Sequence, residues 1–352
     1  MDSDTKGHAT ETSPRDERPT LKTIAFMTGL GVTTVSRALK DAPEIGEATK
    51  KRVRLVAKQI GYRPNRAGVR LRTGKTNVIS LVLDTEEDLT GFVSDMIYGI
   101  SETVAETPYH LIVTPYSRRN DPMDPVRYLV ETGSADGIIL SRTLPDDPRV
   151  HYMLEHHFPF ATHGRTNIGV EHAWHDFDNR AFAREAALKL VELGRTRLAL
   201  LPPPVGLTYH THTREGFSEG VLEAGATEVA WSGVSIDDLI DDIRSKTVRL
   251  MRRKDRPDGV VVSSGGATFA LVAGIEEAGL KLGQDVDVVS KQSSKLLRLF
   301  RPELYVCQES FRLAGREVAK AVMGQIAGKS VDKLQSLAAP PPIVSCRNPA
   351  IP

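Results

Sequence analysis

Val32, Thr33, Thr34, Ser36 and Arg37 project from one short helical stretch, and their types suit the edges of a nucleic-acid duplex. Hydroxyls reach phosphate oxygens, an arginine fork matches guanine O6 and N7, and a valine methyl fits beside a thymine methyl. The stretch from Thr23 to Leu39 has the spacing of a helix-turn-helix. Leu21, Ile24, Ala25 and Thr28 recur at helical intervals, and Gly29 then supplies the backbone freedom of a tight turn. Val35, Ala38 and Leu39 stripe the next helix. Val53, Val56, Ala57 and Ile60 stripe a third, over about 47–60, so three short helices share a small core.

Pro64 breaks that third helix, and residues 66–72 read as a short polar helix before the linker Thr73-Gly74-Lys75. Leu71 stands there among Arg66, Arg70 and Arg72. An apolar side chain ringed by cations suits a wedge between base steps of a minor groove. The competing reading packs Leu71 on the rest of the protein and leaves Arg37 as a solvated charge. Thirteen basic residues face three acidic ones between Thr20 and Lys75, a net +10, so the remainder carries −9 beneath a net charge of +1. One basic module on an acidic body points to a polyanion for one end only, with a merely solvated basic surface as the alternative.

The elements behind these residues bound the architecture. At 352 residues, 40% hydrophobic and 26% charged, the chain has material for two or three domains. No run of about 18 apolar residues spans a membrane, and residues 1–19 form a polar arm without the apolar stretch of a signal peptide. Cys307 and Cys346 match no metal spacing and suit a reducing cytoplasm.

From Asn77 onward, β-branched runs alternate with amphipathic helices. The expected strands are 78–83, 110–114, 137–140, 158–162, 197–201, 259–263 and 286–290. The expected helices include 92–106, 180–193, 213–224, 236–253, 268–278 and 311–326. The alternation predicts doubly wound parallel sheets, in two lobes with a cleft between them. Ligands in such folds sit beyond the carboxyl ends of strands. Candidate effector contacts are therefore Asp84, Phe92, His163, Arg165, Tyr209 to Thr213, Ser264, Lys291 and Gln292. Eight of ten histidines lie between His151 and His212, in no metal spacing. Neither a metal nor a cofactor is expected. Gly265-Gly266, opening a helix, is a weak phosphate cradle.

The stretch TIAFMTGLGVTTVSRAL, followed by YRPNRAGVRLRTGKT, resembles the LacI family of bacterial transcription regulators. The likeness continues through 175–179, 192–194, 214–217 and 306–315. It implies a small all-α helix-turn-helix head plus an α/β body of two doubly wound parallel-sheet lobes, periplasmic-binding-protein-like in type, around a ligand cleft. In that pattern Val32, Thr33 and Arg37 read bases, while Thr20, Thr34 and Ser36 bind phosphate. Asn65 to Arg72, with Asn65 and Arg66 among the contacts, match a hinge helix that orders on operator DNA, and Leu71 matches its wedge.

Three departures bear on the ligand. Thr213 stands where the family carries arginine, Ser264-Gly265 where an Asn-Asp or Ser-Asp pair is usual, and Gln292 where many relatives have aspartate. Lys291, Arg165 and His163 point instead to a polyol, acid or phosphorylated ligand. Gly31 replaces the usual serine cap, and Gly68 a common alanine.

The domains expected are an arm over 1–19, the helix-turn-helix over 20–63, hinge and linker over 64–76, the two-lobed effector and dimerisation body over 77–345, and a tail over 346–352. The expected function is a cytoplasmic repressor, a homodimer on double-stranded operator DNA, controlled by a sugar, polyol, sugar acid or sugar phosphate. No heptad tail for a tetramer follows Pro340-Pro341-Pro342. No Walker loop, nucleophile elbow or HExxH occurs, so an enzyme is not expected, a catalytic α/β body on a DNA-binding head being the alternative.

Overall fold

A computed structural model describes residues 19–63, 74–84, 92–117, 119–292 and 296–347. The chain divides into two compact units, Met1–Thr76 and Asn77–Pro352. The expected hinge helix, and with it Asn65, Arg66 and Leu71, falls outside the described residues, as does the arm up to residue 18.

In the first unit, α1 (Leu21–Thr28) begins at Thr20 through a capping box. The Thr23 N–H donates to Thr20 Oγ1 at 3.3 Å, and the Thr20 N–H donates to Thr23 Oγ1 at 3.1 Å. Gly29, at φ +67°, closes the helix in left-handed backbone and turns the chain into α2 (Val32–Leu39). α3 (Glu47–Gln59) completes the bundle. Ile24, Ala25, Val35, Ala38, Val53 and Ala57 form its core, as their spacing requires. Asp41, itself at φ +60°, ties the α2–α3 connection down: it lies 3.2 Å from Lys50 and 2.6 Å from Arg54.

The second unit opens on β1 (Val78–Asp84), whose first six residues are buried, as the interior strand of a parallel sheet demands. α4 (Phe92–Val104), β2 (His110–Tyr116), α5 (Met123–Thr132), β3 (Gly137–Ser141), α6 (Pro148–Glu155), β4 (Phe160–His163) and β5 (Trp174–Phe177) follow. The chain then crosses to a second lobe at Asp178, whose side chain caps α7 (Asn179–Glu192). That lobe continues with β6 (Arg197–Leu201), α8 (Thr208–Glu223), β7 (Thr227–Glu228), α9 (Ile240–Met251) and β8 (Gly259–Val262). α10 (Gly265–Glu277), β9 (Asp287–Gln292), α11 (Leu296–Phe300) and β10 (Tyr305–Gln308) complete its run. At Glu309-Ser310 the chain returns to the first lobe through α12 (Phe311–Ile326) and β11 (Gln335–Ala338), and Pro340–Pro342 lead back to β12 (Val344–Ser345).

The first sheet runs β11-β5-β4-β3-β1-β2, all parallel; the second runs β12-β10-β9-β8-β6-β7, with only β12 antiparallel. Three crossovers therefore join the lobes at one edge. α4 and α12 pack backbone to backbone: a Cβ on Gly99 would stand 2.0 Å from the Arg312 carbonyl oxygen.

All seven expected strands are present, with ends shifted by up to two residues. β5, β7, β10, β11 and β12 fall outside those seven; Trp174-His175-Asp176-Phe177 in β5 and Gln335-Ser336-Leu337-Ala338 in β11 lack an apolar run. α10 starts at Gly265 rather than at residue 268, since burial overrides the poor helix propensity of two glycines. α8 likewise starts at Thr208, five residues early.

Candidate functional site

On the helical unit, Val32, Thr33 and Arg37 stand exposed along α2, with Thr34 and Ser36 half-buried beside them. The buried Val35 and Ala38 on the opposite side force this presentation. Arg37 Nη1 lies 3.5 Å from Glu44, an exposed pair that costs little to exchange for another partner. Thr20 is exposed but spends its hydroxyl on the α1 cap.

Between the lobes of the second unit lies a cavity of about 370 Å³. Asp84, His163, Arg165, Tyr209, Ser264, Lys291 and Gln292 all line it, brought together by the carboxyl ends of β1, β4 and β9 and by the N-terminal turns of α8 and α10. Thr213 does not. It is fully buried and donates its hydroxyl to the Tyr209 carbonyl at 2.7 Å, because α8 begins early enough to turn that side chain into the lobe. Phe92 opens α4, but its side chain lies outside the described residues; the next residue, Val93, lines the cavity.

Among the described residues, every lining cation is matched by a carboxylate. Lys291 Nζ sits 2.6 Å from Glu309 and donates to Asn179 Oδ1 at 2.7 Å, beneath the rings of Phe177 and Tyr209. Arg165 Nε donates to Asp176 at 2.8 Å. Arg142 Nε lies 3.0 Å from Asp84, and its Nη2 lies 2.5 Å from Asp237. Burial pushes the Asp176 carboxyl up to about 6 despite the Arg165 guanidinium beside it. Burial, with His175 and Lys291 adding to it, holds His163 down at about 3, so this imidazole is neutral at physiological pH.

The floor also carries uncommitted polar groups. Both amide atoms of Gln292 and the Ser263 hydroxyl are buried without a hydrogen-bond partner among the described residues. Buried polar atoms normally find partners, so these await one from the cavity. The bare first turn of α10, capped by no side chain, adds backbone N–H groups at Gly265 and Gly266.

Five of the other histidines serve locally. His151 meets Asp146 at 2.6 Å, His172 meets Thr166 at 2.9 Å, and His175 meets Ser336 at 2.8 Å. His210 and His212 pair with the Pro203 carbonyl and Arg165. Among the described residues, no group of three or more His, Cys, Asp or Glu is arranged to hold a metal.

Sequence reasoning missed Arg142, Asp176, Asn179, Asp237 and Glu309 as lining residues. Arg142 follows β3 directly, so the strand-end rule reaches it. Asp237 sits in the β7–α9 connection, which no pattern marks.

Residues 20–65 match the family described as bacterial regulatory proteins, lacI family, and residues 187–345 match the periplasmic binding protein-like domain. The transcriptional regulator RafR of Escherichia coli is 32% identical over 90% of this chain and 94% of its own length. The transcriptional regulator CelR–cellobiose complex superposes with a TM-score of 0.68 at 25% identity, covering 94% of this chain and all of that one. The Lac repressor dimer bound to operator and the anti-inducer ONPF superposes at 0.79, with 19% identity and 94% and 98% coverage. No helix of the described residues is long and apolar enough to cross a membrane.

Proposed function

The chain belongs to the lacI family of bacterial regulatory proteins, and from that premise we propose a repressor that grips operator DNA as a homodimer and responds to a neutral sugar. The operator-bound dimer of the Lac repressor supports the assembly, and two recognition helices reading two half-sites require two-fold symmetry. Its place is the cytoplasm, with the chromosome. Val32, Thr33 and Arg37 read base edges; Thr20, Thr34 and Ser36 contact phosphate; Asn65, Arg66 and Leu71 enter the minor groove.

The pairing of every cavity cation carries the choice of effector. Arg142, Arg165 and Lys291 meet Asp84, Asp237, Asp176 and Glu309, and Asp238 meets Lys246. Among the described residues, the lining thus has two more carboxylates than cations. A phosphate or acid group would add negative charge where, among the described residues, no cation stands unmatched. A neutral polyol offers hydroxyls, which both donate and accept, to Gln292, Ser263 and the α10 amides. CelR is complexed with cellobiose, which supports a neutral disaccharide here. Asp84, His163, Arg165, Tyr209, Ser264, Lys291 and Gln292 are the proposed contacts.

Sugar and operator bind with reciprocal coupling of about 1–3 kcal/mol. Thermal shift of the full chain tests the effector class. A neutral disaccharide at one hundred times its Kd stabilises by about 2.7 kcal/mol, and its phosphorylated analogue gives no shift. Stabilisation by sugar phosphates alone refutes the reading. Recovery of the sugar unchanged separates a regulator from an enzyme.

A further inference from the structure

Arg142 occupies left-handed backbone, φ +56°, a conformation that long side chains rarely adopt. The surroundings enforce it. Arg149, locked on Asp147 at 2.7 Å with both side chains buried, donates Nη2 to the Arg142 carbonyl at 3.0 Å. Strain that the structure over-determines in this way gathers where a side chain has a task. Here the turn aims the guanidinium across the gap between the lobes, to Asp84 on its own lobe and to Asp237 on the other.

We propose that Asp84, Arg142 and Asp237 form a latch across the cavity that holds the lobes shut when no effector is bound. The latch rests on the reading of this cavity as the effector site. Its two carboxylates differ in kind. Asp84 ends β1 beside β3, so its bond to Arg142 survives any separation of the lobes and keeps the guanidinium aimed. Asp237 travels with the second lobe: the Ile236 N–H donates to the Pro202 carbonyl at 2.9 Å, and neighbouring Asp238 is held by Lys246 at 2.6 Å. Opening therefore breaks Arg142–Asp237 and leaves Arg142–Asp84 intact. The next residue reinforces the closure, since the Thr143 carbonyl accepts from both the N–H and the hydroxyl of Thr208, at 2.9 and 3.1 Å. The triad side chains are only 11–24% exposed, so salt screens them less than an ordinary surface pair without removing its influence. Nearby Leu239, 70% exposed, marks this as the outer rim of the cavity.

Interlobe distances in the ligand-free full chain test the latch. Spin labels at Glu155→Cys on α6 and Lys254→Cys beyond α9, in a Cys346→Ser background, report the separation by double electron–electron resonance. The parent shows a short distance, and Asp237→Asn adds a longer population. Asp238→Asn, whose pair lies within one lobe, leaves the distribution unchanged. Raising the salt lengthens the parent's distances and leaves those of Asp237→Asn alone, a readout that stands even if the variant folds poorly. Identical distributions for the parent and Asp237→Asn, with no response to salt, overturn the latch. No sugar enters these measurements, so a failed effector screen and a failed latch are separate results.

Discussion

Lys291 on β9 and Glu309 at the second crossover face each other at 2.6 Å, both more than nine-tenths buried. The same ammonium holds Asn179, the first residue beyond the first crossover, at 2.7 Å. One cation thus fastens two of the three strands that join the lobes. A buried charge is tolerated only when paired, and removing one partner strands the other. Lys291→Met is expected to destabilise the body by about 3–5 kcal/mol, measured by urea unfolding. Lys291→Met with Glu309→Gln recovers part of that loss. A single variant as stable as the parent shows that the pair is not a fastener.

How much of this the amino-acid sequence declares depends on the range over which the information acts. Gly29 and the stripes of Ile24, Val35 and Val53 act within a few residues of one another, so the helical bundle was visible. The apolar runs at β1, β6 and β8, β-branched in the first and last and leucine-rich in β6, declare interior strands by themselves. β5 and β11 do not, because Asp176 and His175 are buried by pairing with Arg165 and Ser336 rather than by apolar character. That β11 returns to sit beside β5, 158 residues before it, is a pairing no local pattern encodes. The cavity followed the same division. Strand ends pointed to Asp84, His163 and Gln292, whereas Asp237 and Glu309 arrive from the opposite lobe and from a crossover. Thr213 was misplaced because the start of α8 was.

His163 and Asp176 titrate in opposite senses. The folded protein holds His163 at about 3 against an ordinary 6.5, and lifts Asp176 to about 6 from 3.8. Between about pH 4 and 6, the unfolded chain carries a proton on His163 that the folded state lacks, and the folded state carries one on Asp176 that the unfolded chain lacks. Stability contributed by the first is lost as pH falls; stability contributed by the second is lost as pH rises. The two slopes cancel in the parent. His163→Gln removes the first slope and keeps the second, so stability falls with rising pH across this window by up to about 1.4 kcal/mol per unit relative to the parent. Urea midpoints at half-unit steps decide it, and parallel profiles refute the assignment.

The contact of α4 with α12 leaves no room at Gly99. A methyl there meets the Arg312 carbonyl and drives the helices apart, opening the packing of Met96 and Ile100 against Ala314 and Val318. Gly99→Ala is expected to cost about 1–3 kcal/mol or more. Calorimetry showing an unchanged melting temperature would mean that the two backbones do not pack this closely.

Arg37 and Leu71 separate reading from wedging on the operator. The Arg37 guanidinium stands exposed on α2, held among the described residues only by a 3.5 Å surface contact with Glu44, and so can grip a guanine edge. Arg37→Ala is expected to relax discrimination by about 1–3 kcal/mol at one base pair, leaving phosphate-driven affinity largely intact. Leu71→Ala acts otherwise: a wedge repays its unstacking cost only on a site bent to receive it, so operator binding weakens far more than binding to random duplex. Gel-shift titrations against a library randomised at each operator position, at fixed salt, measure both. Discrimination unchanged at every position removes Arg37 from the reading face, and equal losses on operator and random duplex remove the wedge.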